Sequence, residues 1–190
     1  MTRWMLIAGL TLLVGTAAPV LAQTHPQTRQ GFWIGFGLGI GSAGISCNGC
    51  TSGRESGLSG YLRMGGTVSP QLLIGGETNG WTKSSDGVDQ TVGFLSAVAY
   101  YYPVVDNGVW IKGGLGFASY EAEAPGEKLT TSGLGLTAGI GFDWRLSANV
   151  SLSPFANYMQ QVGGDVEYNG ESVGNANANL IQFGVGLSWH

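Results

Sequence analysis

Charged residues are scarce in this sequence. Asp, Glu, Lys and Arg make up 11% of the chain, whereas ordinary soluble domains contain roughly 25%. The formal net charge is −4, and there is no basic stripe that would neutralise a phosphate backbone. The composition therefore argues against nucleic acid as a partner.

Long apolar runs are absent after the N-terminus, so no spanning helix of about 18 residues or more is expected in the mature chain. Residues 1–22 carry an early positive charge, a mostly apolar stretch and then small or apolar residues. This pattern predicts a cleavable signal peptide with a cut after Ala22. Gly15 and Pro19 disfavour the alternative, a true membrane-spanning helix. We therefore predict a signal peptide at 1–22, a short lead at 23–30 and the folded domain at 31–190.

Cysteine is rare, and the two residues present are Cys47 and Cys50. A thioredoxin-type motif would need a helix after a strand, and zinc would need further Cys or His ligands nearby. The sequence offers neither. In the oxidising compartment that a signal peptide implies, we expect a structural disulfide between them across an Asn-Gly turn. The sequence predicts no metal site, no cofactor and no catalytic residue.

Glycine is abundant, with 34 residues, and apolar residues alternate along most of the chain. In residues 32–40, every even position is Phe, Ile or Leu, and the odd positions are Trp33 or glycine. Period two over segments of this length predicts β-strands with one apolar face each. The eight predicted strands lie near 31–41, 57–68, 72–82, 90–102, 109–120, 131–144, 150–160 and 179–189.

Short and long connections alternate between these strands. The short ones fall near 69–71, 104–108 and 146–149, and the longer ones are rich in Gly, Ser, Asn and acidic residues. An antiparallel meander collects the short connections at one end and the long ones at the other. This asymmetry, with an even strand number, is typical of an outer-membrane barrel.

Charge indicates which face of the strands points outward. The predicted strands contain four charged residues, and all lie on the less apolar face. A charge on the lipid face near the midplane would cost about 2–4 kcal/mol. We therefore predict an all-β, closed, eight-stranded, antiparallel up-and-down transmembrane barrel with its apolar faces toward lipid. The interior charged cluster is Arg63, Glu77, Lys112 and Asp143.

The inward face is expected to be packed rather than open, because bulky residues alternate there with glycines. We expect Arg63 and Glu77 to lie opposite each other and to pair, because a buried charge needs a partner. The expected bulky inward residues are Trp33, Tyr61, Trp81, Trp110, Tyr120 and Phe155.

Two segments fit the pattern less well. In the fourth strand, we take the apolar, outward face to be Val92, Phe94, Val98 and Tyr100, although Leu95 and Ala97 are apolar on the other face. Pro154 lies inside the seventh strand, where a closed barrel has no free edge for proline. A bulge, or a bond to water near the short-turn end, would accommodate it.

The closing segment, "LIQFGVGLSWH", must pair with the first strand. Trp189, near the short-turn end, is expected at headgroup level, together with Trp144, as interfacial aromatic residues. The segments "GFWIGFGLGIG", "LLIGGETNGW" and "GVWIKGGLGFASYE", with the closing segment, resemble the small eight-stranded outer-membrane barrels of the OmpA/OmpX-like group.

The resemblance implies a bacterial outer-membrane location and insertion by the barrel-assembly machinery, which reads a terminal aromatic strand. It also implies contact with outer-membrane lipids and lipopolysaccharide; we favour a monomer. Here the aromatic residue is penultimate and His190 follows it, a departure from the usual signal.

Three functional hypotheses follow. The first is a non-enzymatic barrel that acts in envelope integrity or surface interaction through its long loops. The second is passage of a small solute or apolar molecule through a narrow barrel. An enzyme is disfavoured, because the mature chain has only His25 and His190 and neither is expected near the long loops. The acidic residues of those loops form either a solvated face or a divalent-cation link to lipopolysaccharide.

Overall fold

The computed structural model describes residues 29–47, 53–85, 87–168 and 171–190, with the side chains of 47 and 171–175 outside this description. The strands are β1 (Phe32–Cys47), β2 (Arg54–Ser69), β3 (Leu72–Ser85), β4 (Val88–Tyr101), β5 (Val109–Ala124), β6 (Glu127–Phe142), β7 (Trp144–Arg145), β8 (Val150–Tyr168) and β9 (Glu171–Trp189). In the described chain, no helix is long and apolar enough to cross a membrane.

The strands form one closed antiparallel sheet. Each long strand pairs with its neighbours along the chain, β1 pairs with β9, and β6 pairs with β8. The two-residue strand β7 continues β6 along β8. Eight long strands therefore close into an up-and-down barrel, which confirms the predicted fold.

The apolar faces point outward. Leu38, Ile40, Leu115 and Phe117 are 66–71% exposed, whereas the alternate residues face a filled interior. All six bulky residues expected inside are buried there. Because the closed sheet has no edge strand, no row of unpaired backbone N–H and C=O groups faces the lipid.

The prediction for the fourth strand was wrong. Val92, Phe94, Val98 and Tyr100 are buried inside the barrel, and Leu95 is 61% exposed on the outside. Alternation failed here because this part of the lumen is itself apolar, so both faces of β4 carry apolar residues. The larger residues at most of the inward positions of β4 fill the lumen, and the outward face carries Leu95 and Tyr101 with smaller residues between them.

The segments that were expected to be long loops are largely strand. The expectation that long loops project from the barrel was therefore wrong. β5 and β6 pair up to Ala124 and Glu127, with only a Pro125–Gly126 turn between them. Gly126 has φ +85°, as position i+2 of a type II turn requires. Polar residues outside the membrane extend the ladders because pairing satisfies their backbone groups. These protruding strand ends are called the outer rim below.

Pro154 sits in an unshifted register. Both Gly141↔Phe155 and Trp144↔Leu152 keep the same alignment of β6 and β7 with β8, so no bulge occurs there. The ladder instead lacks pairing at Phe142, directly opposite Pro154, and at Asp143, opposite Ser153. Because proline has no N–H, it interrupts this ladder and separates β6 from β7.

Some predictions fall outside the described residues. They are the signal peptide at 1–22, most of the lead at 23–30 and His25. The Cys47–Cys50 disulfide is another, because the side chain of Cys47 and all of Cys50 lie outside the description.

Candidate functional site

The four predicted interior charges all lie inside the barrel. Arg63 on β2, Glu77 on β3, Lys112 on β5 and Asp143 between β6 and β7 are at most 6% exposed. Two are acidic and two are basic, so this set is neutral overall.

The ion pairs differ from the expected Arg63–Glu77 pair. These two residues are cross-strand partners on β2 and β3. Nevertheless, the Glu77 carboxylate pairs with the Lys112 ammonium from β5, and Arg63 Nη2 lies 4.0 Å from Asp143 Oδ1. In a narrow barrel, inward side chains meet across the lumen as well as along one ladder.

Three side chains donate to the Glu77 carboxylate. Lys112 Nζ and Tyr100 Oη donate to it, and Asn79 Nδ2 donates to Oε1 at 2.7 Å. Lys112 reaches this position over Gly139, where an added Cβ would lie 2.7 Å from Lys112 Cε. A buried carboxylate with this many donors is strongly fixed in place.

Asp143 is the second fixed carboxylate. Tyr102 Oη donates to Oδ2 at 2.8 Å, and Trp110 Nε1 and Ser153 Oγ donate to Oδ1 at 3.1 and 2.7 Å. His190 Nε2 lies 3.6 Å from Oδ2.

The Arg63 guanidinium lies among aromatic rings. Its centre is 4.8 Å from the Tyr100 ring, 5.0 Å from Tyr61 and 5.2 Å from Trp110. Nη2 also donates to Ser188 Oγ at 2.6 Å. Cation–π contacts of this kind are worth about 2 kcal/mol when desolvated, so they help to hold the cation away from water.

The short-turn end of the barrel is covered by residues that the sequence analysis missed. Arg29 is 2% exposed, lies 3.6 Å from the centre of the Tyr102 ring, and donates to the carbonyls of Val105 and Asn107 at 3.0 and 3.1 Å. Arg145 is also buried there. The sequence offered a weak signal for Arg145, which is a basic residue beside the predicted turn at 146–149.

His190 completes this end of the barrel. Its backbone N–H donates to the carbonyl of Asn149 at 3.1 Å. Burial lowers the pKa of its imidazole below the ordinary 6.5.

The outer half of the lumen is filled by apolar side chains. Trp81, Phe94, Met159 and Leu180 are each at most 2% exposed and belong to one cluster. Trp81 packs over Gly41, and its Nε1 donates to the Gly41 carbonyl at 3.0 Å. The interior is therefore packed at both ends.

Trp144 and Trp189, the predicted interfacial aromatics, both face outward near the short turns. They are 56% and 37% exposed. The Trp189 ring lies 5.8 Å from that of Phe36. Tyr101 and Phe32 are exposed at the same end.

The outer rim carries more acids than bases. Lys83 pairs with Glu55, and Lys128 with Glu121 at 2.9 Å. In the residues the structure describes, no group of three or more His, Cys, Asp or Glu could hold a metal ion. The rim acids among the described side chains are Glu55, Asp89, Glu121, Glu123, Glu127, Asp165 and Glu167.

A closed barrel with a lipid-facing apolar belt and a packed interior that holds paired charges defines a bacterial outer-membrane β-barrel protein. The chain belongs to the family described as "Outer membrane protein beta-barrel domain", whose model matches residues 8–190. No curated protein matches the chain in sequence.

Solved structures share the fold at low identity. Ail, the attachment invasion locus protein of Yersinia pestis, is 14% identical with a TM-score of 0.57, over 84% of this chain and 99% of that one. Neisserial surface protein A is 17% identical with a TM-score of 0.55, over 85% and 98%. OprG from Pseudomonas aeruginosa is 15% identical with a TM-score of 0.50, over 87% and 99%. These likenesses show the fold alone.

Proposed function

We propose that this protein is a non-enzymatic outer-membrane barrel whose rigid outer rim contacts partners at the cell surface. The observation that carries this proposal is the combination of a packed lumen with strands that continue beyond the apolar belt. A filled interior supports a structural or display role rather than transport. Strand extensions hold rim side chains in fixed positions, which lowers the cost of ordering them on binding.

The charge of the rim indicates the chemistry of a partner. The seven rim acids named above outnumber the three bases, Arg54, Lys83 and Lys128, which gives these described side chains a net charge of −4. An acidic surface attracts cationic segments and repels anionic ones. Ail has been solved with a heparin analogue, sucrose octasulfate, but the rim of this chain favours a basic partner.

Binding of model polyelectrolytes tests the proposal. The full-length protein in lipid nanodiscs should bind a lysine-rich peptide in a salt-sensitive way and should not bind heparin. A variant with Glu121→Gln, Glu123→Gln and Asp165→Asn should lose most of the peptide binding. A matched variant with the lumen-facing change Ser96→Ala should bind like the parent. Heparin binding with no peptide binding would contradict the proposal.

Passage of a small solute is the alternative hypothesis, and its support is limited to the glycine-rich inner face. Those glycines are covered by side chains: Tyr61 over Gly37, Trp81 over Gly41, and Trp110 over Gly141. We expect no steps of conductance from the purified protein in planar bilayers. Regular single-channel openings would favour the alternative.

The position of the described histidine supports a non-enzymatic role. His190 lies at the short-turn end beside Asp143, away from the outer rim. The partners inferred from the sequence, which are lipopolysaccharide, membrane lipids and the barrel-assembly machinery, remain part of this proposal, as does the monomeric state.

A further inference from the structure

We propose that His190 is an acid-released latch, which closes the short-turn end of the lumen while its imidazole is neutral and leaves it when the imidazole is charged. In an outer-membrane barrel the short turns face the periplasm, so the latch responds to periplasmic pH. It controls whether water reaches the interior charges. The outer rim lies at the opposite end of the barrel and takes no part in it.

His190 lies inside the barrel but beyond the strand ladders. Ser188 on β9 faces inward, and side chains two positions apart share a face of the strand. The ladders of β9 with β1 and with β8 both end at Trp189. Beyond them, the His190 N–H donates to the Asn149 carbonyl at 3.1 Å. Release of His190 therefore costs that bond and no strand pair.

The imidazole is buried but weakly held. The side chain is 2% exposed, and Nε2 lies 3.6 Å from Asp143 Oδ2, which is long for a hydrogen bond. Neither ring nitrogen has a hydrogen-bond partner among the described residues. A buried polar group without such a partner lowers stability, so few interactions oppose release of the ring.

Charged side chains from several elements surround the ring. Asp143, between β6 and β7, is the acid, and Arg145 on β7 and Arg29 in the lead are bases whose charges act on the imidazole. Arg63 on β2 lies 4.0 Å from Asp143 Oδ1. Three bases therefore share one acid. The adjoining strand ends carry no charged residue, and they are residues 32–36 of β1, 150–154 of β8 and 185–189 of β9.

Asp143 has little capacity left for a further cation. Its two oxygens already accept hydrogen bonds from Tyr102, Trp110 and Ser153. Burial lowers the pKa of the His190 imidazole below its ordinary 6.5; the Asp143 carboxylate acts in the opposite direction, and the two nearby arginines add to the lowering. The closed site therefore favours the neutral ring.

Acid consequently favours the released state. A released His190 is in water and takes up its proton near the ordinary pKa of about 6.5, whereas the closed ring does so only at lower pH. Below about pH 6.5 the released state binds more protons than the closed one, so the equilibrium constant for release rises by up to about tenfold per pH unit. The rise ends where the closed ring is itself protonated.

Release exposes charges without opening a pore. Water from the periplasmic side then reaches Asp143 and, beyond it, Arg63. The apolar cluster around Trp81 still fills the outer half of the lumen. The absence of conductance that we expect of the barrel therefore holds in both states of the latch.

Hydrogen exchange at the amide of residue 190 tests the latch, because this N–H is bonded only in the closed state. The folded protein in lipid nanodiscs is studied by NMR over the range of about pH 5 to 8 in which histidine titrates. Hydroxide catalyses amide exchange, so an amide with a constant opening equilibrium exchanges more slowly as pH falls. For residue 190, release grows as hydroxide declines, so the two trends should cancel and the exchange rate should stay flat below about pH 6.5.

Two variants isolate the charge. His190→Gln keeps a polar side chain that cannot be protonated, so exchange at residue 190 should slow in proportion to hydroxide. His25→Gln is the matched control, because it removes a histidine that the latch does not use, and it should behave like the parent. Folding is checked by the shift in electrophoretic mobility on boiling. If His190→Gln does not fold, NMR titration of the parent still decides, because its His190 imidazole should titrate below 6.5.

Two results would overturn the proposal. Exchange at residue 190 of the parent that slows in proportion to hydroxide would mean that acid does not release the latch. A His190 imidazole that titrates above 6.5 in the folded protein would mean that the closed site prefers the charged ring, and acid would then tighten the latch. Neither result bears on peptide binding by the outer rim.

Discussion

At the scale of single residues, the interior depends on charges that satisfy one another. Glu77 receives donors from three side chains, and Asp143 receives three more. Removing one member leaves its partner charged, buried and unpaired, and that residual charge costs more than the pair contributes. The same logic explains why no charge lies on the apolar belt.

Replacing Lys112 with Met should destabilise the folded barrel by about 3–5 kcal/mol, because Glu77 is left without its counter-ion. The double variant Lys112→Met, Glu77→Gln should regain most of that loss. Urea unfolding in lipid vesicles, followed by tryptophan fluorescence, measures both. Lys128→Met, which breaks an exposed pair, serves as the control and should leave the midpoint unchanged. A single variant as stable as the parent would show that the pair is not needed.

Inward glycines make room for aromatic rings. An added Cβ at Gly41 would lie 2.6 Å from Trp81 Cδ1, so Gly41→Val should cost about 1–3 kcal/mol through overpacking. Gly76→Val is the matched control on the outward face, where an added Cβ meets nothing within 4 Å. The same unfolding assay compares them; equal stability of the two variants would contradict a packed lumen.

At the scale of strands, period-two alternation predicted every long strand but not its full length. Alternation of apolar with small residues exists only where one face meets lipid, so the predicted strands match the apolar belt. Beyond it, residues 121–124 and 127–130 are rich in acidic and polar residues and read as loop, although they pair as strands. Similarly, the inward and outward faces of β4 were assigned the wrong way round, because Phe94 and Leu95 lie on opposite faces and are both apolar.

The site was predictable only in part, for a related reason. The strands carry only four charged residues, and lipid excludes charge from the outward face, so all four could be assigned to the interior. Their pairing, and the roles of Tyr100, Tyr102 and Arg29, depend on contacts across the lumen, which a sequence pattern does not encode.

Hydrogen exchange tests the strand extensions. In β5, residues 119–124 are flanked by β4 and β6 through most of their length, so their amides should be protected although they lie outside the belt. In β2, residues 54–57 lack a partner on the β3 side, and the amides facing that side should exchange at least about tenfold faster. Uniformly rapid exchange in both segments would mean that the outer rim is loop in solution.

At the scale of the whole molecule, the fold is a cylinder whose outer surface is apolar and whose interior is filled. The outer surface must be apolar because lipid neither solvates charges nor forms hydrogen bonds with backbone groups. The interior can be filled because a barrel of eight strands is just wide enough to hold side chains. The membrane location, the packed lumen and the rigid outer rim all follow from this arrangement.

Spin-label accessibility along β5 tests this arrangement most directly. Labels are placed one at a time from Val109 to Phe117 in protein reconstituted into bilayers. The account predicts that labels at odd positions contact dissolved oxygen, as lipid-facing labels do. Labels at even positions should contact neither oxygen nor a water-soluble nickel chelate, because they lie in a packed interior. Access of the nickel chelate to even positions would reveal a water-filled pore, and its access to odd positions would place the apolar face in water; either result would contradict the account.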